Sequence, residues 1–109
     1  MTYMEVANMI ESFGFTYAYY QFPEGTAHEP PYVVFFYSQT DDVFADDENY
    51  QRIVTLNVEL YTVEKDFESE SKIEEILKEN HMTYYKEENY IDSESEWQIA
   101  YEMEVIING

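Results

Sequence analysis

A clear pattern of apolar and polar positions lies in residues 50–62. Apolar and polar residues alternate there: Val54, Leu56, Val58 and Leu60 are separated by Thr55, Asn57 and Glu59. Because successive side chains of a strand point to opposite faces, this alternation predicts a strand with one buried face. Residues 66–80 follow, and Ile73, Ile76 and Leu77 share one face of a helix there. We expect the rest of the chain to pack around this strand and helix.

Two other segments have patterns that are equally clear. The longest alternation predicts a C-terminal strand, with apolar positions at Trp97, Ile99, Tyr101, Met103, Val105 and Ile107. At the other end of the chain, apolar residues recur at helical spacing in residues 2–13. Thr2 and Glu5 stand in capping-box register, and Gly14 lies where a left-handed C-terminal cap belongs. The N-terminal segment therefore reads as a helix.

The remaining segments are shorter. We interpret residues 15–22, 32–37 and 82–86 as strands, 87–89 as a turn, 90–92 as a brief extended piece and 93–95 as a second turn. Together the segments predict a single α+β domain over residues 1–109. Its mixed or largely antiparallel sheet has four to five strands and two helices on one face, in the order α-β-β-β-α-β-β.

The strand at residues 32–37 has apolar residues on both of its faces. A strand of this composition is normally covered on both sides. Two helices can cover one side of a small sheet, so another group must cover part of the other side. A neighbouring subunit and an additional local segment of the same chain are equally good explanations.

The chain is strongly acidic. It has 24 Asp and Glu residues but only five Lys and Arg residues, which gives a formal net charge of −19. A phosphate-binding surface needs clustered Lys and Arg, so we expect no direct binding of nucleic acid or of an anionic membrane. The chain has no cysteine and therefore no disulfide or thiolate site. No apolar run approaches the ~20 residues that span a bilayer. A cytosolic setting, or a place in a particle assembled there, follows as an expectation.

Residues 40–49 read as an acidic connection that carries two apolar residues, Val43 and Phe44. The absence of glycine and of a distant glutamate argues against an EF-hand calcium loop. An apolar pair with a polar rim is a common arrangement at protein interfaces. We therefore predict an interface in this segment, with Phe44 as its anchor or, alternatively, folded back onto its own sheet. The candidate interface residues are Asp41, Asp42, Val43, Phe44, Asp46 and Asp47.

Motifs for catalysis, cofactors or metals are lacking in the sequence. Three glycines cannot form a phosphate-cradling loop, and no nucleophile elbow is present. His28 and His81 lack the spacing of metal ligands. Acid catalysis needs a carboxyl group in an apolar pocket, whereas periodicity places most acids on solvent faces. We expect a protein that is not an enzyme and that binds neither cofactor nor metal.

Several segments, taken in order, resemble a family of small proteins from tailed phages and prophages of Gram-positive bacteria. These segments are residues 22–25, 31–34, 42–46, 56–62 and 101–105. The family is encoded among the head–tail joining genes, and the resemblance covers nearly the whole chain. Its motifs are structural, so no functional residue can be carried over by position.

The resemblance implies a tail-completion or tail-terminator protein of the virion. Such a protein assembles with itself into a ring, typically a hexamer, and its partners are the tail tube protein and the head-connector protein. It would be located at the head–tail junction, after assembly in the host cytoplasm. The strand with two apolar faces and the twelve tyrosines agree with a role in subunit contacts.

Two other classes of function compete with this one. The charge is equally compatible with an acidic DNA mimic, or another protein-binding inhibitor, that displays carboxylates at phosphate-like spacing. Against that alternative, many acids alternate singly along strands rather than forming a continuous helical row. A small acidic hydrolase is disfavoured because the sequence offers no nucleophile or histidine constellation.

Overall fold

A computed structural model of the chain describes residues 1–22, 29–44 and 50–108, with the backbone alone for residues 42–44, 50 and 51. In these ranges the elements are α1 (Tyr3–Ser12), β1 (Thr16–Tyr19), β2 (Tyr32–Phe44), β3 (Tyr50–Thr62), α2 (Phe67–Glu79), β4 (Tyr84–Ile91) and β5 (Glu96–Ile107). The five strands form one sheet in the order β1-β2-β3-β5-β4. β1 and β2 are parallel and the other pairs are antiparallel. The expected mixed α+β fold and its element order are confirmed.

Both helices begin and end where local chemistry requires. The Thr2 side chain accepts a hydrogen bond from the Glu5 amide while the Glu5 carboxylate accepts one from the Thr2 amide, which is the predicted capping box. Gly14 follows α1 with φ 86°, a left-handed conformation that suits glycine. Asp66 caps α2, and Asn80 ends it. The predicted helices over 2–13 and 66–80 are thus confirmed to within a residue or two.

The core lies between the two helices and one face of the sheet. Side chains from α1, α2, β2, β3 and β5 form a single buried cluster, with Leu56 at its centre in β3 and fully buried. Its members on the helices and at the C-cap of α1 are Val6, Met9, Ile10, Phe13, Ile73 and Leu77. The predicted packing of both helices on the sheet face that carries Leu56 and the alternating residues of β5 is therefore confirmed. We call this the inner face and the opposite one the outer face.

Three of the expected boundaries were wrong. The strand expected over residues 15–22 ends at Tyr19, because Tyr20 takes a left-handed conformation with φ 69°. No turn interrupts residues 87–89, because β4 pairs continuously with β5 and Glu87 lies opposite Ala100. Residues 40–44 are not part of a connection but the end of β2, where Phe44 lies opposite Tyr50. In the latter two places the backbone ladder outweighs the weak strand preference of Asp, Glu and Asn. A register shift at Ser38 marks a β-bulge in β2, between the parts paired at Tyr37 and Gln39.

Candidate assembly surface

The outer face of the sheet divides into an aromatic part and an acidic part. Across β3, β5 and β4 this face carries polar and acidic residues, which line a shallow depression: Asn57, Glu59, Glu87, Asn89, Gln98 and Glu102 are among them. Over β2 and its neighbours the same face carries Tyr20, Phe22, Tyr32, Phe36 and Tyr61, which we call the aromatic strip. Aromatic side chains with a polar end suit contact surfaces, so the aromatic strip is a candidate assembly surface.

Ring-to-ring contacts order the aromatic strip. The Tyr32 ring stacks on Tyr61 at a centroid distance of 5.0 Å, and Phe22 meets Tyr32 edge to face at 5.3 Å. Tyr20 meets Phe36 in the same way at 5.9 Å. The residues directly after β1 therefore cover part of the outer face of β2. A local segment of the same chain was one of the two explanations for the apolar outer side of residues 32–37. That a neighbouring subunit covers the remaining part of this side stays a prediction.

Two tyrosines of the aromatic strip bind carboxylates. The Tyr32 hydroxyl donates to Glu96 Oε2 at 3.3 Å, and the Tyr61 hydroxyl donates to Glu59 Oε1 at 2.9 Å. Gln98 Nε2 donates to the same Tyr61 hydroxyl at 2.8 Å. Burial and the nearby Glu96 carboxylate raise the pKa of Tyr32 to about 12. These hydroxyl groups therefore stay protonated at neutral pH and act as donors to acids.

Strand β1, at one edge of the sheet, is surrounded by aromatic rings and lacks charge. Residues 13–22 contain no charged side chain in a chain that is 27% charged. On its inner side, Tyr17 and Tyr19 pack against Phe35 at centroid distances of 6.4 and 5.3 Å. Tyr20, just after the strand, is 64% exposed. The edge is therefore neutral, aromatic and accessible. The uncharged run was visible in the sequence, but its position at a sheet edge was not.

Strand β4, at the opposite edge, has a different character. Its exposed residues include Glu87 and Glu88, and Tyr85 is 84% exposed. Among the residues that the structure describes, no strand pairs with the outer edge of β4 or of β1. Open edges present unpaired backbone groups to any strand that can approach them. The sheet thus has two open edges, one neutral and one acidic.

The inner side of β4 carries an ion-pair network around the buried Glu70. The Glu70 carboxylate is 1% exposed and lies between two ammonium groups, 2.5 Å from Lys65 Nζ and 2.8 Å from Lys86 Nζ. Lys86 also contacts Glu74, and the Tyr101 hydroxyl donates to Glu74 Oε2 at 2.7 Å. Although burial acts to raise it, these hydrogen bonds hold the pKa of Glu74 below its ordinary value. The network joins α2 to the sheet and uses two of the four lysines.

The predicted interface residues fall at the far end of the β2–β3 hairpin. Asp41 is exposed, and the backbones of Asp42, Val43 and Phe44 pair with residues 50–52 of β3. Asp46 and Asp47 lie outside the described residues. β1 accompanies β2 only as far as Phe35, and β5 accompanies β3 only from Arg52 onward. The hairpin end therefore extends beyond the strands on either side of it, and its interface role stays a prediction.

The concave surfaces of the described residues are open clefts. One, of about 630 Å³, runs beside α2 and is lined by residues that include Glu74, Glu75 and His81. Within residues 1–22, 29–44 and 50–108, no group of three or more His, Asp or Glu side chains is arranged to hold a metal ion. In the same ranges no helix has the length and apolar character needed to cross a membrane.

Comparison with known proteins gives a likeness of fold. A chain in the solved structure "Virion of native gene transfer agent (GTA) particle" matches with a TM-score of 0.57 and 12% sequence identity. The match covers 94% of this chain and 86% of that chain. No protein-family model and no curated protein matches the sequence. The α+β fold described above is thus one that a virion component also has, and the finer resemblance to tail-completion proteins of Gram-positive phages stays a prediction.

Proposed function

We propose that this chain is a virion structural protein, and more specifically that it completes the phage tail by forming a ring at the head–tail junction. The observation that carries the proposal is the fold match to a gene transfer agent virion over 94% of the chain. The match spans both helices and the sheet rather than a single motif. Its direct partners would be copies of itself, the tail tube protein and the head connector.

Two features of the molecule support a structural role in an assembly. Among the described residues neither edge strand has a partner on its outer side, and Tyr17, Tyr19 and Tyr20 at the β1 edge expose large rings of the kind found at contact surfaces. The high negative charge also suits a ring around a channel that DNA must cross, because carboxylates repel phosphate. No catalytic chemistry is needed for such a role, and we propose none.

A deletion in the phage or prophage that carries the gene tests this proposal. Without the protein we expect full heads and separate tail tubes in negatively stained lysates, with infectivity lost and restored by the gene supplied on a plasmid. In complemented particles, an antibody should label the head–tail junction. Joined, infectious particles in the deletion strain, or an absence of the protein from purified particles, would contradict the proposal.

A further inference from the structure

The two open edges of the sheet run in opposite directions. β1 is parallel to β2, and each later step across the sheet, from β2 to β3, β5 and β4, is antiparallel. β4 therefore runs opposite to β1. If a second copy is placed beside the first in the same orientation, its β4 meets the first copy's β1 as an antiparallel pair. Antiparallel pairing is the slightly more stable arrangement, and repeating the step produces a head-to-tail assembly that can close into a ring.

Local charge discriminates among the possible edge pairs. Exposed charges separated by more than a Debye length of ≈ 8 Å are largely screened at physiological salt, so the residues at the contact matter more than the total charge of −19. Pairing two β4 edges would place Glu87 of one copy near Glu87 of the other, together with Glu88, whose charge Lys65 partly offsets. Pairing β1 with β4 brings these acids against a segment without charge. The unlike pair therefore avoids the repulsion that a pair of β4 edges would suffer.

The β1 edge also supplies donors for the acids of β4. The hydroxyl groups of Tyr17 and Tyr20 make no hydrogen bond within the described residues, and both side chains are exposed. Within the described residues, tyrosine hydroxyls already bind carboxylates: Tyr32 binds Glu96, Tyr61 binds Glu59 and Tyr101 binds Glu74. A tyrosine-rich edge facing a glutamate-rich edge would use the same chemistry between subunits.

From these observations we propose that β1 of one copy pairs antiparallel with β4 of the next copy, so that a single sheet continues from subunit to subunit. The partner of each edge is a second copy of this chain. Tyr17 and Tyr20 are the proposed donors at the contact. Glu87 is the main proposed acceptor, and Glu88, whose Oε1 binds Lys65, would accept through its other oxygen. This inference rests on the proposed function, in which copies of the chain form a ring, and it names the two strands that form the contact between neighbouring subunits.

Cysteine cross-linking tests this pairing without interference, because the chain has no cysteine of its own. Thr16 and Glu87 are exposed residues on the outer face of β1 and β4, and replacing them leaves the core intact. The two positions lie at opposite edges of a five-stranded sheet, roughly 19 Å apart at ~4.8 Å per strand. A short bismaleimide therefore joins them between copies rather than within one copy.

Particles are purified from cells in which a T16C/E87C variant replaces the natural protein, and they are then treated with the reagent. We expect a ladder of covalent oligomers from dimer upward for the double variant and monomer for each single variant. A T16C/E75C variant, with the second cysteine on the exposed face of α2, is the matched control and should remain monomeric. A dimer formed by T16C alone would instead show that two β1 edges pair, which overturns the proposal.

The outcomes separate this inference from the proposed function. If the protein is present at the head–tail junction but the double variant gives no ladder, the edge pairing is wrong and the structural role stands. If the control variant T16C/E75C gives the same ladder as T16C/E87C, the contact is unspecific and the pairing is again wrong. If the protein is absent from the particles, both the pairing and the ring fail.

Discussion

The Tyr101 hydroxyl donates a 2.7 Å hydrogen bond to Glu74 Oε2. Tyr101 is a fully buried residue of β5, and Glu74 lies on α2, so the bond joins the sheet to the helix. Burial and the Glu74 and Glu70 carboxylates raise the pKa of the Tyr101 hydroxyl, which keeps it protonated as a donor. Lys86 Nζ binds the same Glu74 oxygen at 2.8 Å, so Tyr101 adds a neutral donor beside a cation.

Replacing Tyr101 with Phe removes this hydroxyl and keeps the ring in the core. We expect the free energy of unfolding to fall by about 1.5–3 kcal/mol, the usual contribution of a hydrogen bond to a charged group. Urea unfolding followed by circular dichroism measures the change. The matched control is Tyr85→Phe on the exposed side of β4, which should alter stability by less than ~0.5 kcal/mol. Equal effects of the two substitutions would show that the Tyr101 bond contributes nothing to stability.

The substitution Leu56→Asp tests the position of the core. Leu56 is a fully buried residue of β3. Burying an unpaired carboxylate at this position costs several kcal/mol of folding free energy. We expect a chain that does not fold cooperatively at 25 °C by thermal and urea melts. Ile106→Asp is the control, since Ile106 is 46% exposed on β5. A Leu56→Asp variant that melts like the parent would mean that the sheet presents its other face to the helices.

Much of this fold could be predicted because its signals are local. The alternation around Leu56 identified β3 and its buried face, and the Thr2–Glu5 capping box identified the start of α1. The burial of Glu70 could also have been predicted from the sequence. Glu70 precedes Ile73 by three residues and Leu77 by seven, so helical periodicity places it on the buried face of α2. The expectation that most acids face solvent did not single Glu70 out, and an acid on the buried face becomes tolerable only with Lys65 and Lys86 beside it.

Other features depend on contacts between distant segments and left no local signal. The continuity of β4 through Glu87 comes from pairing with β5, and the extension of β2 to Phe44 comes from pairing with β3. The parallel arrangement of β1 and β2 could not be inferred from either strand alone. The candidate surface also depends on distant contacts. The sequence shows that residues 13–22 are uncharged, but only the strand order places this segment at an edge of the sheet.

High pH should destabilise the fold. Burial raises the pKa of Tyr32 and of Tyr37 to about 12, whereas tyrosine in the unfolded chain ionises near pH 10. Burial would lower the pKa of Lys86, but Glu70 and Glu74 hold it above its ordinary value. In each case the folded state binds more protons than the unfolded state above about pH 10, so stability falls as the pH rises further. The contribution of these three groups to stability is present in full only below the pKa values of the unfolded chain.

Melting temperatures measured from neutral pH to about pH 12 check this expectation, together with the ultraviolet absorbance of phenolate. We expect ionisation of the tyrosines to accompany unfolding. Tyr37→Phe, which removes one group of raised pKa, should make the decline in melting temperature shallower. A melting temperature that stays constant across this range would show that the tyrosines titrate equally in both states.

Duplex DNA should not bind to the protein. With a net charge of −19, the chain cannot release the counterions that drive association with phosphate, and we expect no shift of a labelled duplex at ~0.15 M salt. A basic protein of similar size serves as the positive control. A clear shift under these conditions would contradict the idea of a channel that repels DNA. Inhibition of DNA-binding enzymes by the protein would instead support the alternative of a DNA mimic.

The end of the β2–β3 hairpin provides the test of the predicted interface. The backbone of Phe44 lies opposite that of Tyr50, where the hairpin extends past β1 and β5. If Phe44 is an interface anchor, Phe44→Ala should leave the melting temperature nearly unchanged and abolish tail completion in a phage complementation assay. Phe67→Ala, at the exposed start of α2, is the control and should complement normally. A sharp drop in the melting temperature of Phe44→Ala would place the ring on its own sheet, and normal virions would place the interface elsewhere.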